Sequence, residues 1–67
     1  MSELIKVSKD VFTATLTLNR PEKRNSLLPE MLEELDLLLD EIANDSKLRI
    51  LVITGAGDKA FSTGADL

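Results

Sequence analysis

The run Ile50-Leu51-Val52-Ile53 constrains this chain more than any other feature. Consecutive apolar residues without alternation are typical of a strand covered on both faces in a parallel sheet. A parallel strand must be reached by a crossover, and the preceding segment supplies one. Apolar residues recur at Met31, Leu32, Leu35, Leu38, Leu39 and Ile42, the three-four spacing of a helix face. Pro29 suits the first helical turn, where its missing N–H costs nothing. Glu30, Glu33 and Glu34 stand near the helix start, where the macrodipole favours negative charge. Leu28, at the N-cap, offers no oxygen to the exposed N–H groups. The pattern predicts a helix over about 29–44, ending near Asn44-Asp45-Ser46, and a strand over about 48–54.

Upstream, Leu4, Ile5 and Val7 predict a first strand, with Ser8-Lys9-Asp10 as a tight turn. From Val11 to Leu18 apolar and polar residues alternate: Phe12, Ala14, Leu16 and Leu18 face one way, Thr13, Thr15 and Thr17 the other. Period-two patterning of this kind is that of a half-buried strand. The two strands form a hairpin over about 3–18. Residues 19–28 are a loop, because Pro21 lacks a donor and pushes Arg20 out of helical space. The order strand, strand, helix, strand is an α/β arrangement with a right-handed crossover between its second and third strands. One helix covers one face of such a sheet, so a second layer is expected from further chain or from another chain.

Composition narrows the function classes. A chain of 67 residues buries only about 60% of the surface its unfolded form exposes, and no cysteine reinforces it. The absence of histidine removes the commonest metal ligand and any Ser-His or Cys-His pair. A net charge of −4 and only two aromatic residues, Phe12 and Phe61, argue against nucleic-acid binding. The first residues lack a basic region followed by an apolar stretch, and no apolar run approaches the roughly 20 residues that span a bilayer. The expected compartment is the cytoplasm, without membrane association.

The chemistry lies in the closing segment, Gly57-Asp58-Lys59-Ala60-Phe61-Ser62-Thr63-Gly64-Ala65-Asp66, before Leu67. Small residues and glycine after a buried strand let backbone N–H groups approach a ligand closely, which is how proteins hold an oxyanion or a phosphate. Gly55-Ala56-Gly57-Asp58-Lys59-Ala60 also fits the glycine fingerprint of dinucleotide sites. That fingerprint should open a helix, however, and Phe61-Ser62-Thr63-Gly64 has no helical periodicity.

Together, Leu18-Asn19-Arg20-Pro21-Glu22-Lys23-Arg24-Asn25-Ser26-Leu27, the acidic amphipathic helix, and the stretch from Ile53 to Leu67 resemble the start of the crotonase superfamily, the enoyl-CoA hydratases and isomerases. The resemblance covers nearly the whole chain, in order and at compatible spacing. It implies a ββαβ amino-terminal segment of the crotonase-like spiral, an incomplete domain. It also implies a coenzyme A thioester as substrate, with no separate cofactor, and its carbonyl held between two backbone N–H donors that stabilise an enolate-like anion. By the match, Ala65 is the first donor. The stretch Thr63-Gly64-Ala65-Asp66-Leu67 meets the adenine end of coenzyme A, and Arg24, Asn25 and Ser26 line its pantetheine and phosphate side. The second donor and the catalytic glutamates belong to later segments, so these residues alone are expected to be inactive. Complete members form homo-oligomers, trimers or hexamers, that act on acyl-CoA in fatty acid metabolism. Ser26 stands where alanine is usual, Thr63 where alanine or serine is usual, and Leu28 where a polar cap is usual. The first two contacts are largely backbone, so binding survives those changes.

Bland readings stand beside these. Ala65 is also a small residue in an ordinary loop, and Arg20, Lys23 and Arg24 also make a solvated turn. Asp36, Asp40 and Glu41 fall outside the apolar stripe, which makes them a solvated helix face rather than a metal or acid–base cluster. Asp66 suits a backbone-bonding residue that shapes its turn better than a catalytic acid. Two other function classes remain open: an assembly module that pairs with a full-length homologue, and a dinucleotide-binding unit.

Overall fold

A computed structural model describes residues 3–58, 61, 62 and 64. Strands β1 (Ile5–Lys9) and β2 (Thr13–Leu18) lead through a short 3-10 turn at Pro21–Lys23 to helix α1 (Pro29–Ala43) and strand β3 (Ile50–Gly55). The sheet order is β1-β2-β3. β1 and β2 are antiparallel, from Ile5 opposite Leu18 to Lys9 opposite Ala14. β2 and β3 are parallel, from Thr13 beside Ile50 to Leu18 beside Gly55. The helix therefore lies in the crossover between two parallel strands, as the unbroken apolar run requires.

The alternation in β2 resolves as its chemistry dictates. Ala14, Leu16 and Leu18 are buried, and the threonines between them are half-buried. Ile5, Leu16, Leu18 and Met31 form the core, with Leu4, Leu27, Leu28, Leu35, Leu38 and Ile42 packed around it. Met31, in the first turn of α1, is fully buried. That turn begins without a side-chain cap: Leu28 is extended at ψ 154, Pro29 follows, and the Leu28 carbonyl accepts the Met31 and Leu32 N–H groups. Burial of Leu28 and Met31 beside the sheet substitutes for a polar cap in fixing the helix start. At the other end the Asn44 side chain donates to the Asp40 carbonyl at 2.9 Å, and the Asp45 carboxylate accepts the Lys47 N–H at 3.0 Å.

Three expectations are corrected. Ser8 and Lys9 lie within β1, and the chain reverses one step later, where Asp10 N–H donates to the Thr13 carbonyl at 2.8 Å. The Asp10 carboxylate accepts the Val11 N–H, a local bond that aspartate favours in turns. Phe12 consequently sits in the reversal rather than on the buried face of β2. It is 53% exposed, and its ring lies 6.0 Å from the Arg49 guanidinium. Most informative is β3, where Ile50 to Ile53 are 39–55% exposed, so the helix does not cover the face of this strand expected of it. The helix packs Met31, Leu35, Leu38 and Ile42 against the core of β1 and β2, whereas Leu32 and Leu39 of the expected stripe are exposed, and β3 lies at the sheet edge. Among the described residues no helix is long and apolar enough to cross a membrane.

This packing sets unequal costs. Leu16→Ala should destabilise the chain by about 2–5 kcal/mol, the usual cost of emptying a packed leucine site. Leu37→Ala, at a position 70% exposed, should change stability by less than about 0.5 kcal/mol. Urea denaturation followed by circular dichroism reads both; equal shifts would contradict the core assigned here.

Candidate functional site

At one end of the sheet, β2 and β3 release the chain side by side. Parallel pairing continues one step beyond the strands, where Ala56 N–H donates to the Leu18 carbonyl at 2.8 Å. The loop after β2 and the loop after β3 thus start from a shared ladder.

The first loop folds around Arg20 and Asn25. Pro21–Lys23 makes a single 3-10 turn, closed by Lys23 N–H to the Arg20 carbonyl and Arg24 N–H to the Pro21 carbonyl. Arg24 and Asn25 then adopt left-handed backbone, φ 52 and 57. Asparagine tolerates that region better than most residues. The reversal returns Asn25 to Arg20. Asn25 N–H donates to the Arg20 carbonyl at 2.7 Å, and Arg20 N–H donates to Asn25 Oδ1 at 2.8 Å. Asn25 Nδ2 reaches across the sheet end and donates to the Ala56 carbonyl at 2.9 Å. Arg20 Nη1 donates to the Ser26 carbonyl at 2.8 Å and to its Oγ at 3.1 Å. With Arg20 only 9% exposed, these bonds from its guanidinium to Ser26 brace the loop.

The second loop is fastened to the first. Leu27 N–H donates to the Gly64 carbonyl at 2.8 Å. Gly64 N–H donates to Ser62 Oγ at 3.1 Å. Gly64 has φ +101, where a side chain is strained even though open space surrounds the position. At the base of the loop, Gly55 is required for a different reason. A Cβ there would stand 2.7 Å from Asn25 Nδ2, 2.9 Å from Phe61 Cα and closer still to the Phe61 carbonyl oxygen.

These positions redistribute the roles expected from sequence. Arg24 is exposed and its side chain makes no hydrogen bond among the described residues, so its guanidinium is available to an anion. Ser26 is half-buried, its hydroxyl held by Arg20. Asn25 is fully buried, and both ends of its amide bond to backbone, Arg20 N–H on one side and the Ala56 carbonyl on the other, so it braces the loops. Thr63, Ala65, Asp66 and Leu67 lie outside the described residues, as do Lys59 and Ala60. Asp36, Asp40 and Glu41 are exposed along α1. Ala56, Gly57 and Asp58 form bends after β3, and among the described residues of this segment none is helical, unlike the turn of a dinucleotide site. Two contributors escaped sequence reasoning, the Leu27 amide and the bridging side chain of Asn25. Only an asparagine following a proline turn hinted at the second.

Comparison with known proteins gives a consistent picture. The family model described as enoyl-CoA hydratase/isomerase matches residues 9–67. The chain is 46% identical to YngF of Bacillus subtilis over 59 residues, covering 88% of this chain and 23% of that protein. It is 41% identical to the short-chain-enoyl-CoA hydratase of Clostridium acetobutylicum over 61 residues, covering 91% of this chain and 23% of that one. Among solved structures, an enoyl-CoA hydratase/isomerase from Mycobacterium paratuberculosis superposes with a TM-score of 0.90 at 46% identity. That match covers 97% of this chain and 25% of the other. The chain thus spans about a quarter of the length of the relatives it matches.

The left-handed backbone at Gly64 carries a measurable cost if altered. Gly64→Ala should strain the loop by about 1–3 kcal/mol, relieved by opening the bond from Leu27. Amide hydrogen exchange by NMR should then show faster exchange at Leu27 with unchanged protection at Leu16; an unaltered Leu27 amide would contradict the strain.

Proposed function

The chain belongs to the enoyl-CoA hydratase/isomerase family, and from that premise we propose that it supplies the amino-terminal part of an acyl-CoA-handling site. In this reading the Ala65 N–H is one of two donors to the carbonyl oxygen of a coenzyme A thioester. One observation carries it: the Gly64 carbonyl is held by the Leu27 N–H. A loop held at Gly64 by a neighbouring backbone amide is the kind of fixed support that a backbone donor to a developing charge requires.

The chemistry follows from charge. When a nucleophile adds to an α,β-unsaturated thioester, or a proton leaves its α-carbon, negative charge collects on the carbonyl oxygen. A fixed N–H aimed at that oxygen stabilises the anion more than the ground-state carbonyl, and the difference lowers the barrier. One donor of such a pair is worth on the order of 3 kcal/mol. In this reading the partner donor and the carboxylates that move protons come from outside these 67 residues. Arg24 offers its exposed guanidinium to a phosphate of coenzyme A, and the backbone from Thr63 to Leu67 receives the adenine end. The same reading carries residence in the cytoplasm and homo-oligomeric assembly.

A second reading, that of an assembly module docking on a full-length homologue, is favoured by the exposed apolar residues of β3. Equilibrium sedimentation of a lone, well-folded monomer would count against it.

Two measurements test the first reading. In a spectrophotometric crotonyl-CoA hydration assay the 67-residue chain should show no turnover above buffer, and clear turnover would refute the division of labour. In calorimetric titration with coenzyme A, Arg24→Ala should weaken binding about threefold at low ionic strength, the scale of one exposed charge contact. Screening should narrow that difference at high salt. An unchanged affinity would remove Arg24 from the site, and a preference for NAD over coenzyme A would overturn the family reading of the loop.

A further inference from the structure

We propose that Asn25 is a positioning residue: its buried side-chain amide couples the loop after β2 to the loop after β3 and so sets the orientation of the anion-holding turn. This rests on the acyl-CoA reading of that turn, but the coupling is argued from geometry alone. The Asn25 side chain is fully buried in a chain whose loops are otherwise mostly exposed. Oδ1 accepts from Arg20 N–H at 2.8 Å, and Nδ2 donates to the Ala56 carbonyl at 2.9 Å, a contact across 31 positions of sequence. One short side chain therefore bridges the backbone of both loops. Its left-handed conformation, φ 57, directs it there.

Gly55 completes the device from the other side. Its missing Cβ leaves the space into which Nδ2 and the Phe61 backbone press. Two residues beyond Asn25, the Leu27 N–H grips the Gly64 carbonyl. The second loop is thus held at Ala56, where it begins, and at Gly64, near its tip, by one short segment of the first. Side-chain replacement at position 25 should loosen the distant grip as well as the near one.

Two substitutions separate the side chain from its backbone conformation. Asn25→Asp keeps the acceptor for Arg20 but sets an oxygen against the Ala56 carbonyl. Asn25→Gly keeps the left-handed backbone without strain and deletes the bridge. Amide hydrogen exchange by NMR on the full chain should show Leu27 protection falling about tenfold in both variants, the effect of losing one structural hydrogen bond. Protection of the central-strand amide of Leu16 should stay within about twofold. Leu27 protection that is retained in Asn25→Gly, or that falls only in step with Leu16, overturns the proposal. A second arm uses crotonyl-CoA beside S-butyl-CoA, a thioether lacking the carbonyl. The unsubstituted chain should prefer the thioester, and Asn25→Gly should lose that preference while still binding both. If the unsubstituted chain shows no preference, the acyl-CoA reading fails, and the exchange result still decides the coupling on its own.

Discussion

The central strand is the constraint on which everything else in this molecule depends. β2 has partners on both edges, antiparallel β1 and parallel β3, and a buried face of Ala14, Leu16 and Leu18 that receives Met31. Its register fixes the end of the sheet at which the chain emerges twice, once after Leu18 and once after Gly55. A one-residue slip would turn Leu16 toward solvent and separate the two exits. The candidate site exists because that slip is forbidden by burial. Parallel pairing matters here as much as packing. Only parallel strands release both loops at the same end, and the bond from Ala56 to Leu18 carries the shared ladder into the loops themselves.

The loops then convert a hydrophobic register into a polar arrangement. Residues 20–26 fold back on themselves through the bonds between Arg20 and Asn25, and the Arg20 guanidinium donates to Ser26. Charge in this segment is therefore divided by role. Arg20, buried, stiffens the loop, whereas Arg24, exposed on left-handed backbone, faces solvent. Composition made these two arginines equivalent; burial separates them. The same division applies to the glycines. Gly64 answers a backbone requirement, and Gly55 answers a shortage of space.

Periodicity made the regular elements legible. Alternation in β2 and the three-four stripe of α1 are statements about which residues leave water, and the structure bears them out from Ala14 to Leu18 and at Met31, Leu35, Leu38 and Ile42. The resemblance to the enoyl-CoA hydratases rested on the loop after β2 and the turn after β3, the two segments the structure fastens together. What sequence could not supply were facts about distant partners. Phe12 continues the alternation of β2, yet the chain reverses at Asp10 and carries it outside the strand. The apolar run of β3 implies two covers, whereas the helix packs over the neighbouring strands. The bridge from Asn25 to Ala56 was equally hidden, because nothing local shows that Ala56 will lie against it.

A site made of backbone amides transfers the burden of specificity from the atoms that touch ligand to the atoms that hold the backbone. Every residue but proline offers an N–H, so in the proposed site the side chain at position 65 matters less than what holds its backbone. Orientation is the scarce quantity, since a donor displaced from the developing charge loses most of its advantage. In a chain this small, rigidity of that order cannot come from the hydrophobic core, which ends at Leu18 and Leu27. It must come from polar groups denied to water, because a buried amide with an unmet hydrogen bond is costly enough to resist opening. The fully buried side chain of Asn25, bonded to both loops, is that kind of group. In the proposed arrangement, orientation at the candidate site is therefore governed by a buried side chain that holds backbone, in a loop that the family resemblance assigned to binding.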